Sequence, residues 1–146
     1  MKHNAWILTL VFIVTTFAAS GALADPPTWK PAGEAVACEG WDGGERLRCR
    51  AQGFGSAIVT VTASAGETVE FSYDEYHSSC GSASKIVHSD ALVVVPNNPH
   101  KFRVLAGGTG ITCREVFLVA CRVGGEAKQC ADVLTASYQW FVGNKQ

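Results

Sequence analysis

The side chains best suited to chemistry are concentrated in residues 73–85, which contain two tyrosines, two acidic residues, four serines, His77 and Lys85. A serine, a histidine and a carboxylate form a hydrolytic site when they converge on one substrate atom. Neighbours on a short loop rarely present three side chains in that way. The sequence therefore favours a protein that is not an enzyme, and a small hydrolase using this loop is the third of three functional interpretations.

The same segment is better suited to recognition. Tyrosine offers a large contact area at low entropic cost, and serine offers adaptable hydrogen bonds. A disulfide at Cys80 would restrict the loop before a partner binds. We predict a binding surface of four side chains, Tyr76, His77, Ser82 and Lys85. An ordinary solvated loop held by Cys80 is the alternative.

A second group of candidate binding residues is a row of arginines. Arg46, Arg48 and Arg50 alternate with Leu47 and Cys49, so in a strand the three guanidinium groups share one face. Such a stripe can bind carboxylates, sulfates or an acidic protein. The same alternation also places ordinary solubilising charge on the outside of a sheet.

A third candidate is Trp41, which lies outside the apolar runs and beside the turn sequence Asp42-Gly43-Gly44. An exposed indole can stack on a sugar ring, although a tryptophan more commonly covers a small core. Trp41 therefore supports the second functional interpretation, a carbohydrate-binding module.

The sequence contains no motif that predicts a cofactor or a metal. There is no G-x-S-x-G, no H-E-x-x-H, no glycine-rich phosphate loop and no dinucleotide fingerprint. The cysteines form no C-x-x-C pair, and the histidines have no ligand spacing. We expect neither a cofactor nor a metal ion.

All six cysteines lie after residue 37, so an exported chain would pair them in three disulfides. Two pairs are each centred on a glycine-containing turn, at Gly43-Gly44 and at Gly125-Glu126, the latter as a type II′ turn. Opposed residues of antiparallel strands are close enough to be bridged. The predicted bridges are Cys38–Cys49, Cys121–Cys130 and, by elimination, Cys80–Cys113.

The apolar period along the chain is two, with frequent turn residues, which is typical of an all-β fold. Two hairpin-like units are predicted, one from residues 59–64 with 69–74 and the other from residues 91–95 with 102–106. Residues 116–120 are apolar on both parities, as in a central strand covered on both sides. The prediction is one antiparallel β-sandwich or small β-barrel of about eight to nine strands, braced by three disulfides.

The beginning of the chain has the features of a signal peptide in residues 1–24. Lys2 precedes an apolar run, and Ala22-Leu23-Ala24 is a small-x-small cleavage pattern. Cleavage after Ala24 would release a secreted or periplasmic protein with no membrane attachment; an uncleaved anchor is the alternative. Residues 25–33 are then an extended N-terminal arm, and residues 34–146 are the disulfide-bridged β domain.

Composition limits the function further. The chain has 146 residues, 47% of them apolar, and a formal net charge of −1, which argues against nucleic acid as a partner. The first functional interpretation is therefore a non-catalytic module that recognises another protein, as an inhibitor, immunity or surface-interaction factor.

Overall fold

The computed structural model describes residues 29–31, 33–53, 56–64, 66–78, 84–104 and 112–143. They form two antiparallel sheets. The strands, in chain order, are β1 (Trp29–Pro31), β2 (Val36–Ala37), β3 (Glu39–Trp41), β4 (Arg46–Gly53), β5 (Ser56–Ala63), β6 (Val69–Ser78), β7 (Ser84–His88), β8 (Leu92–Val94), β9 (His100–Val104), β10 (Thr112–Val123), β11 (Glu126–Lys128) and β12 (Leu134–Gly143). A 3₁₀ turn (Asp42–Gly44) precedes β4, and one α-helical turn, α1 (Cys130–Val133), precedes β12.

The two sheets share one hydrophobic core. The five-stranded sheet has the order β1-β12-β5-β9, with β2 also paired to β12. The seven-stranded sheet has the order β3-β4-β10-β6-β7, with β11 beside β10 and β8 beside β6. Buried side chains from both sheets form a single cluster that includes Val59 and Val61 from one sheet and Phe71 and Leu118 from the other. Each sheet therefore has an inner face that lines this core and an outer face.

The all-β prediction is confirmed, but the strands are more numerous than expected. The described residues contain twelve strands, whereas the sequence predicted about eight or nine. The strands that the sequence did not predict include β1 and β2, each only two or three residues long. Two or three residues are too few to show an alternation of apolar and polar side chains.

The two predicted hairpin-like units are wrong. β5 and β6 follow each other in the chain but belong to different sheets, and the same is true of β8 and β9. Alternation reports which face of a strand is buried, and it does not report which strand lies beside it. The connections from β5 to β6 and from β8 to β9 join one sheet to the other, and both strands of each unit still direct apolar side chains into the same core.

The Cys38–Cys49 disulfide is confirmed, with the predicted geometry. β3 and β4 pair as Glu39 with Arg48 and Trp41 with Arg46, a register centred on Gly43-Gly44. Extending that register places the two cysteines opposite each other, and their Cα atoms are 4.5 Å apart. Gly44 has φ +97°, and a Cβ atom there would lie 3.3 Å from the Ala131 Cβ atom. The turn therefore depends on glycine for both its backbone conformation and its packing.

The Cys121–Cys130 disulfide is also confirmed, but the predicted turn is wrong. Val123 pairs with Glu126, so the turn residues are Gly124 and Gly125, both with positive φ, as a type I′ turn requires. Lys128 is therefore the residue opposite Cys121. Cys130 reaches Cys121 from the first residue of α1, with the Cα atoms 5.2 Å apart.

Only one of the two cysteines of the third predicted disulfide lies among the described residues. Cys113 is disulfide-bonded, but Cys80 lies outside the described residues, so the Cys80–Cys113 bridge stays a prediction. The predicted signal peptide, residues 1–24, also lies outside them. Of the predicted N-terminal arm, residues 29–31 form β1 and pair with residues 141–143 of β12. Among the described residues, no helix has the length and apolar character needed to cross a bilayer.

β10 is the central strand of the seven-stranded sheet, as predicted for residues 116–120, because it pairs with β4 on one side and β6 on the other. The expectation that it is covered on both faces is wrong. Val116 and Leu118 are buried in the core, whereas Phe117 lies on the opposite parity and contacts side chains of its own sheet. With two sheets, each sheet has one covered face, so the apolar residues of the other parity face outward.

Candidate functional site

The outer face of the seven-stranded sheet brings together residues that the sequence suggested as three separate sites. Leu47 and Cys49 are buried on the inner face of β4, which places the arginines of that strand on the outer face. Register then aligns the neighbouring strands with them. The predicted binding residues on this face are Trp41, Arg46, Arg48, Arg50, Tyr76 and Lys85.

Phe117 is the centre of this outer face. The ring of Trp41 meets it edge-on with centroids 6.2 Å apart, and the ring of Tyr76 does so at 5.7 Å. The Arg46 guanidinium carbon lies 4.9 Å above the Phe117 ring, and that of Arg48 lies 4.3 Å from the centre of the Trp41 ring. Trp41, Tyr76 and Phe117 are called the aromatic cluster below; the two guanidinium groups stack on it and fix its shape.

Phe117 was not among the predicted binding residues, although a signal for it was present. It belongs to the run 116–120, which is apolar on both parities. In a fold of two sheets, one parity of such a run has to face outward. That argument identifies two possible outward-facing sets, Val116 with Leu118 or Phe117 with Val119, and only the structure decides that Phe117 is on the outer face.

The arginine row of β4 is largely neutralised by carboxylates of the same sheet. The Arg48 Nε atom donates a hydrogen bond to a Glu115 carboxylate oxygen at 2.9 Å, and Arg46 forms an ion pair with Asp42. The Arg50 Nε atom lies 3.8 Å from the same Glu115 oxygen. The three arginines do share one face, as predicted, but Arg46 and Arg48 are held within the sheet and contribute mainly by stacking.

A second carboxylate, Asp74, holds the other side of the face. It lies opposite Phe117 on β6, with one oxygen 2.9 Å from the Lys85 Nζ atom and 2.6 Å from the His88 Nδ1 atom. Burial alone would raise the pKa of Asp74, but the hydrogen bonds from His88 and Lys85 outweigh it and hold the pKa below its ordinary value. Asp74 thus positions Lys85 beside Tyr76.

The lowered pKa of Asp74 predicts a pH dependence of stability. The charged carboxylate is favoured in the folded state, so its contribution is fully present above the unfolded-state pKa of about 3.9 and is lost as pH falls through the lower folded-state value. We expect Asp74→Asn to unfold with a shallower loss of stability below about pH 4 than the wild type. Urea unfolding between neutral and acid pH measures this slope, and identical slopes for both proteins would contradict it.

His77 is not brought together with the other predicted binding residues. It follows Tyr76 directly in β6, so its side chain lies on the inner face, where its Nε2 atom is hydrogen-bonded to the Glu75 carboxylate. Arg114 is opposite His77 in β10. Ser82 lies outside the described residues. Tyr76 and His77 therefore cannot both contact a partner that docks on the outer face.

Glu75, His77 and Arg114 form a polar group at one end of the core, called the buried charge group below. Glu75 is 2% exposed and Arg114 is 4% exposed. Burial lowers the pKa of the Arg114 guanidinium, and the Glu75 carboxylate opposes that effect. Burial, reinforced by Glu75, raises the pKa of Tyr73. The pairing of β6 with β7 places Ser84 opposite His77.

Open depressions are present on the described part of the surface. Three of them lie farther along the same sheet, and Arg122 contributes to each. In the part of the chain that the structure describes, no group of three or more histidine, cysteine or acidic residues is arranged to hold a metal ion.

Comparisons with known proteins give no information about this site. No family model, no curated protein and no solved structure matches the chain.

Proposed function

We propose that this protein is a non-catalytic binding module that recognises another protein with the outer face of its seven-stranded sheet. In this proposal the two sheets form a β-sandwich braced by a third disulfide, Cys80–Cys113. A signal peptide directs the chain to the periplasm or the outside of the cell. An inhibitor, an immunity protein and a surface-interaction factor each bind another protein without catalysing a reaction.

The observation that carries the proposal is the aromatic cluster stacked with Arg46 and Arg48 on an outer sheet face. Tryptophan, tyrosine and arginine are the residue types that dominate the binding energy of protein interfaces. Trp41 is 37% exposed, so a partner can still remove a substantial part of its surface from water. Burial of that surface, and of the half-exposed Tyr76 and Phe117, would supply the hydrophobic centre of an interface.

The size of the face also fits a protein partner. Its five paired strands, β3, β4, β10, β6 and β7, are spaced about 4.8 Å apart and average about eight residues in length, which gives about 600 Å² of outer face. A stable protein–protein interface buries about 800 Å² on each partner. The face therefore supplies most of the area that such an interface requires.

The cluster is preorganised for binding. The Trp41 side chain is held between Arg48 and Phe117, and the Cys38–Cys49 bridge ties β3 to β4 beside it. Side chains that are already ordered lose little conformational entropy when a partner docks. The same packing disfavours the carbohydrate interpretation, because the Arg48 guanidinium occupies a face of the Trp41 ring on which a sugar would stack.

Site-specific photocrosslinking tests the proposal. We expect p-benzoylphenylalanine in place of Tyr76 to crosslink a discrete protein in extracts or culture fluid of the producing cells. Trp41→Ala should reduce that crosslink at least tenfold, since loss of an aromatic hot spot costs about 2 kcal/mol or more. The control is the same photoreactive residue in place of Lys101, which is exposed on the outer face of the five-stranded sheet.

Besides the absence of any crosslink at position 76, three outcomes would contradict the proposal. One is equal crosslinking from positions 76 and 101. A second is crosslinking at position 76 that Trp41→Ala leaves unchanged in a variant with wild-type circular dichroism. The third is glycan binding that depends on Trp41 with no protein crosslinked, which would favour the carbohydrate-binding module instead.

A further inference from the structure

A row of four side chains crosses the outer face from β4 to β7. Arg50 is opposite Glu115, Glu115 is opposite Tyr76, and Tyr76 is opposite Lys85. Neighbouring strands are about 4.8 Å apart, so Arg50 and Lys85 originate about 14 Å from each other, with Tyr76 between them. This row is perpendicular to the arginine row of β4 and shares only Arg50 with it.

The two cations of this row project into solvent, whereas Glu115 of the row and the neighbouring Asp74 are mostly buried. The side chains of Arg50 and Lys85 are 65% and 47% exposed, whereas those of Glu115 and Asp74 are 20% and 14% exposed. Along this row an approaching molecule therefore meets the positive groups first, although the protein as a whole carries a formal net charge of −1. An exposed carboxylate of the same face, Glu39, lies outside the row on β3, beside Arg48. Local charge rather than net charge sets the preference of a docking face.

Each of the two carboxylates is also shared by two basic side chains. Glu115 is held by Arg48 at 2.9 Å and by Arg50 only at 3.8 Å, so Arg50 has the weaker interaction. Asp74 is contacted by both Lys85 and His88. Among the described residues, Arg50 and Lys85 are thus held only by these ion pairs, and exposed ion pairs of this kind are weak enough to exchange partners.

We infer that the partner presents an acidic segment that lies across the strands, with carboxylates bound by Arg50 and Lys85 on either side of Tyr76. The inference rests on the proposed function and specifies the partner's chemistry. An extended segment of four or five residues spans about 14 Å, so two acidic residues near its ends reach the two cations. The residues between them pack on the Tyr76 ring.

A hexaglutamate peptide is the first probe. In ¹H–¹⁵N correlation spectra of the intact protein, we expect it to shift the backbone amide signals of residues 50, 76 and 85, and hexalysine to leave them unchanged. The double variant Arg50→Glu/Lys85→Glu should weaken hexaglutamate binding at least tenfold. The control, Lys101→Glu, removes an exposed cation from the other sheet and should change binding less than twofold. About 1 M NaCl, which reduces the Debye length to about 3 Å, should abolish the shifts.

Two results with this probe would overturn the inference. One is a set of shifts centred on Lys101 and Arg103 rather than on the row. The other is unchanged affinity in the double variant. If Arg50→Glu/Lys85→Glu fails to fold by circular dichroism, Arg50→Gln/Lys85→Gln removes the same two charges without adding carboxylates, and the same tenfold loss is expected of it.

The photocrosslinking assay separates failure of this inference from failure of the proposed function. A protein that crosslinks at position 76 in a Trp41-dependent way, and equally well in Arg50→Gln/Lys85→Gln, refutes the acidic segment and leaves the protein-binding function in place. Absence of any crosslink at position 76 refutes both. A crosslink lost in this charge variant and in about 1 M NaCl supports both.

Discussion

Arg114→Ala is expected to lower the free energy of unfolding by about 3–5 kcal/mol, the range for leaving a buried charge without the opposite charge that stabilises it. Arg114 is 4% exposed and shares the inner face with Glu75, which is 2% exposed. Without the guanidinium group, the Glu75 carboxylate would remain in the core with His77 as its hydrogen-bond partner. Urea unfolding followed by circular dichroism measures the loss.

A double-mutant cycle separates the uncompensated charge from the loss of packing. Replacement of both members, Glu75→Gln with Arg114→Met, removes both charges, and we expect it to cost less than Arg114→Ala alone. Arg122→Ala is the matched control, because Arg122 is exposed on the same strand and its loss should change stability by only about 0.5 kcal/mol. A double variant as unstable as the sum of its single variants would contradict the coupling of Glu75 to Arg114.

Alternation in the sequence predicts the two faces of β4 correctly, whereas the buried charge group is not predicted. Alternation correctly assigned β4 an inner face with Leu47 and Cys49 and an outer face of arginines. Applied to residues 73–78 as one strand, the same alternation places Tyr76 and His77 on opposite faces. The polar composition of residues 73–85 instead predicts a loop, which places Tyr76 and His77 on one surface.

Pairing between strands was the part that local patterns could not determine. The hairpin β3–β4 was predictable because its turn is short and its glycines define the register. β5 and β6 are joined by a connection of similar length, yet they belong to two different sheets. Their apolar faces can be buried whether the two strands pair in one sheet or face each other across the core. The meeting of Trp41, Phe117 and Tyr76 depends on the order β3-β4-β10-β6, which no short segment encodes.

The second large effect is expected from the Cys121–Cys130 disulfide. Replacement of both cysteines by alanine should lower the free energy of unfolding by about 3–4 kcal/mol, mostly through the loss of a short closed loop in the unfolded chain. Both residues belong to the core, with Cys121 3% and Cys130 0% exposed, so removal of the sulfur atoms also leaves a cavity. Urea unfolding of the double variant measures the total.

The Cys38–Cys49 pair is the matched control for the packing part of this effect. The two bridges have sequence separations of 9 and 11, so their loop terms are nearly equal. Cys38 is only half-buried, which makes the cavity left by Cys38→Ala/Cys49→Ala smaller. We therefore expect the Cys121–Cys130 variant to lose about 1 kcal/mol more than the control. An equal or smaller loss would mean that α1 collapses onto the vacated space, and that Cys130 serves the core only through its bond to β10.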